Sequence, residues 1–426
     1  MSTLSGWLPR PRTAAGRDRT ASKHDLPTVR GALRCQPPVY SPLTWDATRR
    51  AAMQGLGLRD DPRPRVERLV RALYRAQEAV LLGSGTQALE LAIRVAVRVA
   101  GGSGAVALPA FSCYDVATAA VGAGVRIALY DLDPGTLGPD LDSLAAALVA
   151  GTRVVVVAPL WGMPIDWGAI ERCAARFGAV VIEDAAQGHG AEWHGLPVGS
   201  FGTLSVLSFG RGKGWTGAQG GGLLVRRFPF DTAFTTAEAP GLRSELGVAC
   251  SAVAQCLLGR PEVYRLPAAI PWLHLGETRY RNPVAPRSMS RAAASLLERT
   301  LPLATREAAI RKQNAAALLA HIPPASRARP IAPPASGRPG FLRLPLRLPR
   351  GLAGFSDPRA AFCLGVAPGY PATLATLAPV RERLTLPAGP WPGAEDLVRE
   401  LVTFPTHSLV RAVERHALLR LLEQYH

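Results

Sequence analysis

Residues 152–184 read TRVVVVAPLWGMPIDWGAIERCAARFGAVVIED. The runs 152–160 and 179–184 are short, apolar and valine-rich, so they are predicted to be strands buried on both faces. DWGAIERCAARFG (166–178) lies between them as an amphipathic helix. Apolar strands separated by such helices imply a parallel sheet covered on both sides, because parallel neighbours need a long crossover.

The same alternation continues upstream. Strands are predicted at 79–82, 105–109 and 126–133, with helices at 65–77, 86–100, 115–124 and 140–151. Downstream, TLSVLSF (203–209) and GGLLVRR (221–227) are predicted strands flanking the glycine-rich SFGRGKGWTGAQGGG (208–222). The fold class is therefore α/β, with a mostly parallel seven-stranded sheet between helices. Residues 1–60 form an irregular N-terminal arm, 61–286 a large domain, and 287–426 a smaller C-terminal α/β domain with a linking helix. Within these, 228–286 is a divergent insertion or helical cap. Its apolar part, 245–258, is ranked as core helix, then dimer face, then membrane-surface contact. A helix is expected from Ser290 to His321, a proline-rich linker over 324–340, a strand over 340–349 and a terminal helix over 408–425.

The chain has 426 residues and a net charge of +17. That charge raises a nucleic-acid or membrane partner. The cations are almost all arginines scattered without blocks, however, so a field attracting an anionic substrate is the milder expectation. Lysine occurs only at Lys23, Lys213 and Lys312, so a lysine inside a glycine loop is less expected as filler. The six cysteines have no CxxC or zinc-finger spacing, and the basic start has no apolar segment of a secretory leader. Reduced thiols in a cytoplasm, no metal and no transmembrane segment are expected.

GSGTQA (83–88) follows a strand and opens a helix, as a dinucleotide fingerprint does. The acidic residue that a dinucleotide ribose needs is missing at the next strand end, which argues against NAD. The helix start near Gly85 and Thr86 still suits a phosphate. GRGKGW lacks the Ser or Thr of a Walker loop, having Gly214 there. Glu183 and Asp184 end a strand, where open α/β sheets bind ligands. One chemistry uses all these parts. Pyridoxal phosphate needs a lysine amine, a carboxylate on its ring nitrogen and an anion site.

PAFSCYDVATAAVGAGVRIALYDLD, VVVVAPLWGMPIDW, VIEDAAQGHGAEWHGLPVGSFG and LSFGRGKGWTGAQGGGLLV, with SGTQALELA, resemble successive blocks of the DegT/DnrJ/EryC1/StrS sugar aminotransferases. The resemblance covers about residues 65–227 strongly. It implies fold-type I, pyridoxal 5'-phosphate as cofactor, a homodimer, and transfer of an amino group from a donor such as glutamate to a keto-sugar nucleotide or related ketone. It also implies Lys213 as the Schiff-base lysine and Asp184 as the pyridinium partner. Gln187 is implied on the O3′ side, and Ser208, Gly85 and Thr86 on the phosphate. The aromatic that usually stacks on the ring falls at Cys113 or Tyr114, and Tyr114 is preferred because a ring stacks better than a thiol.

Arg211, Gly212 and Gly214 depart from the family pattern around the lysine, and 285–294 departs from its Asn-x-Arg segment, with Arg287 the candidate to keep the arginine role. Alternatives are a dehydratase-like relative, which tends to lack the lysine, and a non-catalytic basic binding or regulatory protein on the same fold.

Overall fold

The computed structural model describes residues 34–101, 104–227, 238–268, 270, 278–385 and 389–425. The valine run becomes β4 (Val154–Val157), and the second apolar run becomes β5 (Val180–Asp184). They pair in parallel, with α6 (Trp167–Ala175) between them in the chain. β4 is shorter than the sequence suggests, but all four valines are buried. Their alternation explains the continuous apolar run. Val154 and Val156 face one core with α3 (Gly85–Ala100) and α4 (Tyr114–Gly122). Val155 and Val157 face another with α5 (Leu141–Val149) and α6. Each such valine contributes roughly 1.5–3 kcal/mol by leaving water.

The other strands of this sheet are β1 (Glu78–Leu82), β2 (Ala105–Pro109), β3 (Arg126–Tyr130), β8 (Leu204–Ser208) and β9 (Gly221–Val225). Between β5 and β8, β6 (Glu192–Trp193) and β7 (Leu196–Pro197) make a small hairpin. The seven-strand order is β1-β9-β8-β5-β4-β2-β3. Only β9 runs against its neighbours. It follows β8 through the glycine loop alone, and a connection without a crossover helix returns the chain antiparallel.

Helices α1 (Trp45–Gly55), α2 (Arg63–Tyr74), α7 (Leu242–Leu258) and α9 (Arg291–Leu319) enclose a further core with β1, β8 and β9. α1 lies within the arm expected to be irregular. Thr44 caps its start by accepting from Ala47 N–H, and Ala47 and Ala51 bury one face. α7 carries the apolar stretch of 245–258 and packs on α1 and α9. A short α8 (Arg265–Ala268) follows.

α9 leads to a second sheet of order β10-β12-β14-β13, formed by Arg329–Pro330, Leu344–Arg347, Leu401–Phe404 and Ala367–Pro368 respectively. Around it lie α10 (Pro358–Cys363), α12 (Pro392–Glu400) and α13 (Ala412–Glu423), while α11 (Ala378–Arg381) packs on α4 of the large domain. The proline-rich 324–340 stretch gives β10 to this second sheet and then docks on the large domain. β11 (Gly337–Arg338) pairs with β6, and Gly340 N–H donates to Gly162 carbonyl at 2.8 Å.

Candidate active site

The parallel strands deliver the predicted residues to one end of the sheet. Gly85 and Thr86 follow β1, and Cys113 follows β2. Asp184 ends β5, and Ser208 ends β8. Together with Gln187, Lys213 and Tyr370 these residues line a single pocket. This is the carboxyl edge where α/β sheets bind ligands.

Strand alternation separates the two acids. Glu183 points away from the pocket and is fully buried. Its carboxylate accepts from the N–H groups of Gly199 (2.7 Å) and Phe201 (2.8 Å) and from Ser205 Oγ (2.8 Å). Asp184 points into the pocket and accepts from Ala186 N–H at 3.1 Å. Burial pushes the Asp184 carboxyl above its usual range, and the nearby Lys213 ammonium pulls it partly back.

The anion end is built by close approach. Ser84 caps α3 by accepting from Gln87 N–H at 3.2 Å. A Cβ on Gly85 would lie 2.6 Å from Ser208 Cβ, so the helix start rests directly on the end of β8. Two backbone donors and a hydroxyl thereby meet where the helix dipole is positive.

The lysine loop is pinned rather than slack. Phe209 N–H donates to Gly220 carbonyl and Gly217 N–H to Phe209 carbonyl, both at 2.9 Å. Trp215 is buried against Phe209, and its indole N–H donates to Leu297 carbonyl at 3.0 Å. Gly212 and Gly214 have φ of +77° and +83°. These left-handed conformations account for glycine on both sides of Lys213. Behind Gly214 sits the fully buried Arg311, whose Nη2 donates to Tyr40 carbonyl at 2.5 Å.

Gln187 is fixed at both ends. Its Oε1 accepts from Trp161 N–H and its Nε2 donates to Tyr370 Oη, each at 2.7 Å. Trp161 and Tyr370 stack with centroids 5.2 Å apart. Sequence reasoning missed both aromatics. They come from a strand-end turn and from a distant loop of the C-terminal part, and neither sits in a recognisable pattern.

Tyr114 does not line the pocket, which corrects its assignment to the cofactor ring. It begins α4, where its ring enters the core and its hydroxyl turns to Thr376 and Ala372. Cys113, one residue earlier at the helix cap, faces the pocket instead. Burial, reinforced by Asp115, pushes its thiol up to about 12. Arg287 pairs with Glu238 at 3.4 Å, and its carbonyl accepts from Gly83 N–H at 2.7 Å, beside the α3 start.

Among the described residues no cluster of His, Cys, Asp and Glu could hold a metal, and no helix is long and apolar enough to cross a membrane.

Comparison with known proteins bears on this geometry. Residues 48–243 match the model of the DegT/DnrJ/EryC1/StrS aminotransferase family. The chain is 33% identical over 174 residues to a 3-amino-5-hydroxybenzoate synthase of Amycolatopsis mediterranei, covering 39% of this chain and 44% of that one. It is 35% identical over 152 residues to an L-glutamine:2-deoxy-scyllo-inosose aminotransferase of Streptomyces kanamyceticus, covering 36% and 35%. The chain thus spans less than half the length of these curated relatives. The fold is that of crystallised 3-amino-5-hydroxybenzoic acid synthase, with TM-score 0.68 and 23% identity over 91% of this chain and 98% of that one. It is equally that of the sugar aminotransferase CalS13 from Micromonospora echinospora, with TM-score 0.68 and 20% identity over 91% and 99%. The strand order, mostly parallel with one antiparallel strand, is in keeping with the fold-type I architecture of these neighbours.

Proposed function

We propose, from the match of residues 48–243 to the model of the DegT/DnrJ/EryC1/StrS aminotransferase family, that the chain is a pyridoxal-phosphate-dependent aminotransferase. The observation that carries this is one pocket holding Lys213, the desolvated Asp184 carboxyl and the α3 start with Ser208. These residues fit the cofactor. A carboxylate whose pKa is raised by burial gains most from a cationic ring nitrogen beside it. A dianionic phosphate suits the helix N-terminus.

Bound pyridoxal phosphate supplies an electron-accepting ring that acidifies the α-hydrogen of an amino substrate. Lys213 would hold the cofactor's aldehyde through its Nζ, and its amine would be placed to move a proton. Asp184 would stand beside the ring nitrogen and favour its protonated form. Gln187, fixed by Trp161 and Tyr370, would face the ring's oxygen side. Cys113 is a neutral wall of the pocket.

The proposed reaction moves an amino group from a donor such as glutamate to a keto-sugar nucleotide or related ketone. A homodimer in the cytoplasm accompanies it on the family premise. A half-reaction tests it. The purified protein with cofactor shows a visible band that an amino donor bleaches, and Lys213→Ala has no such band. A protein that binds cofactor but keeps its band with every donor tried would refute transamination.

A further inference from the structure

Two cysteines outside the lysine pocket meet across the fold. Cys35 lies in the N-terminal arm, and Cys363 ends α10 in the C-terminal part. Gln36 N–H donates to Cys363 carbonyl at 2.8 Å, and Cys35 N–H to Pro261 carbonyl at 2.9 Å. A Cβ on Gly365 would lie 3.1 Å from Gln36 Cβ, so the arm rests directly on the turn after α10. In this register the Cys35 thiol donates a hydrogen bond to the Cys363 sulfur. Two thiols in such contact need little backbone movement to join.

The two thiols are unequal. Cys35 is 1% exposed, whereas Cys363 is exposed. The hydrogen bond from Cys35, helped by the Arg265 guanidinium, holds the Cys363 thiol down to about 6 against burial and the Asp357 charge. The same contact keeps the proton on Cys35. At neutral pH Cys363 is therefore the exposed thiolate, and Cys35 is the protonated thiol behind it. An attacking thiol and its resolving partner need that division.

Just beyond Cys35 the arm crosses the site. His407 Nε2 donates to Pro37 carbonyl at 2.8 Å, and Tyr40 carbonyl accepts from Arg311. A Cβ on Gly212 would overlap Val39 Cγ2, so the arm bears on the lysine loop beside Lys213. Residues 37–41 also wall a cleft of about 360 Å³ that shares Trp161, Gln187 and Tyr370 with the lysine pocket.

We propose that Cys363 and Cys35 form an oxidation site for low-molecular-weight disulfides, whose product is a Cys35–Cys363 disulfide tying the arm over the lysine loop to the C-terminal part. Cys363 Sγ attacks the small disulfide, so a mixed disulfide forms and one small thiolate leaves. Cys35 Sγ then loses its proton and attacks Cys363 Sγ, and the second small thiolate leaves. Two protein thiols are oxidised by two electrons, and one small disulfide is reduced to two thiols. The site stands independently of the aminotransferase assignment.

The test treats the reduced full chain with oxidised glutathione and maps the cysteines by non-reducing peptide mass spectrometry. The wild type gives a Cys35–Cys363 cross-linked peptide that dithiothreitol reverses. Cys35→Ser stops at a glutathione adduct on Cys363. Cys363→Ser, a change at an exposed position, leaves Cys35 unmodified because no exposed thiolate starts the exchange. Closing so long a loop removes entropy from the unfolded chain, so the oxidised wild type melts several degrees above the reduced one and neither variant shows the rise. No cross-link, a cross-link through Cys113, Cys173, Cys250 or Cys256 instead, or an unresolved adduct accumulating on Cys363 of the wild type would overturn the pair. An unchanged melting temperature in the fully cross-linked protein would overturn the tether.

Discussion

Gly85→Ala probes the joint between the α3 start and β8. The added Cβ would lie 2.6 Å from Ser208 Cβ, 2.8 Å from its Oγ and 3.2 Å from its Cα. No rotamer of Ser208 moves its Cβ or Cα, so the backbone must give. Restoring an ordinary carbon contact of about 3.6 Å requires a shift of roughly 1 Å. Overpacking of this kind costs about 1–3 kcal/mol. Alanine's better helix propensity returns at most ~1 kcal/mol. The same shift pulls the Gly85 and Thr86 N–H groups off the phosphate position. Losing one charged hydrogen bond there weakens cofactor binding about 10- to 100-fold. Cofactor titration of the apoprotein, followed by absorbance, reads the affinity, and differential scanning fluorimetry reads the stability. Gly247→Ala is the matched control. It lies in α7 with nothing within 4 Å of the added methyl, and should be neutral or slightly stabilising. Wild-type affinity and melting temperature in Gly85→Ala would refute the inference that this contact shapes the phosphate site.

Three other outcomes are expected. Trp215→Ala should cost about 3–5 kcal/mol in denaturant unfolding, because it empties the wedge under the lysine loop. Trp215→Phe should cost much less, and equal losses would mean the packing role is wrong. Burial lowers the His407 pKa to about 3. The unfolded chain therefore takes up a proton near pH 6.5 that the folded one refuses, and stability falls as pH drops from there toward about 3, by roughly 1.4 kcal/mol per unit. His407→Gln should show a shallower acid decline; an identical slope contradicts this. A hydrogen bond from Cys35 holds the exposed Cys363 thiol down to about 6, whereas burial keeps Cys113 protonated. Timed alkylation with peptide mapping should modify Cys363 first and Cys113 last. The reverse order would contradict both assignments.

The β4–α6–β5 unit was legible because burial on both faces leaves an uninterrupted valine run, which few other structures tolerate. Asp184 and Lys213 were legible together, since one chemistry needs both and their order matched a known pattern. The resemblance picked Asp184 over Glu183, but composition and spacing gave no physical reason for it; strand alternation supplies one, since the Glu183 carboxylate is consumed by Gly199, Phe201 and Ser205. The choice between Cys113 and Tyr114 turned on where a helix begins, and a one-residue difference there exchanges pocket for core. Tyr370 reaches the site through a tertiary contact more than 150 residues from Gln187, a distance over which local patterning carries no signal. The arm around α1 read as irregular because its apolar face is mostly alanine, a weak periodic marker.

The central claim is that Lys213 is the amine that holds pyridoxal phosphate. The chain has only two other lysines, Lys23 and Lys312, so peptide mass spectrometry after borohydride reduction of the cofactor-loaded protein gives a direct answer. A pyridoxyl phosphate adduct on the peptide containing Lys213, with Lys23 and Lys312 unmodified, is the predicted result. An adduct on Lys312 or Lys23, or no adduct at all, would contradict it.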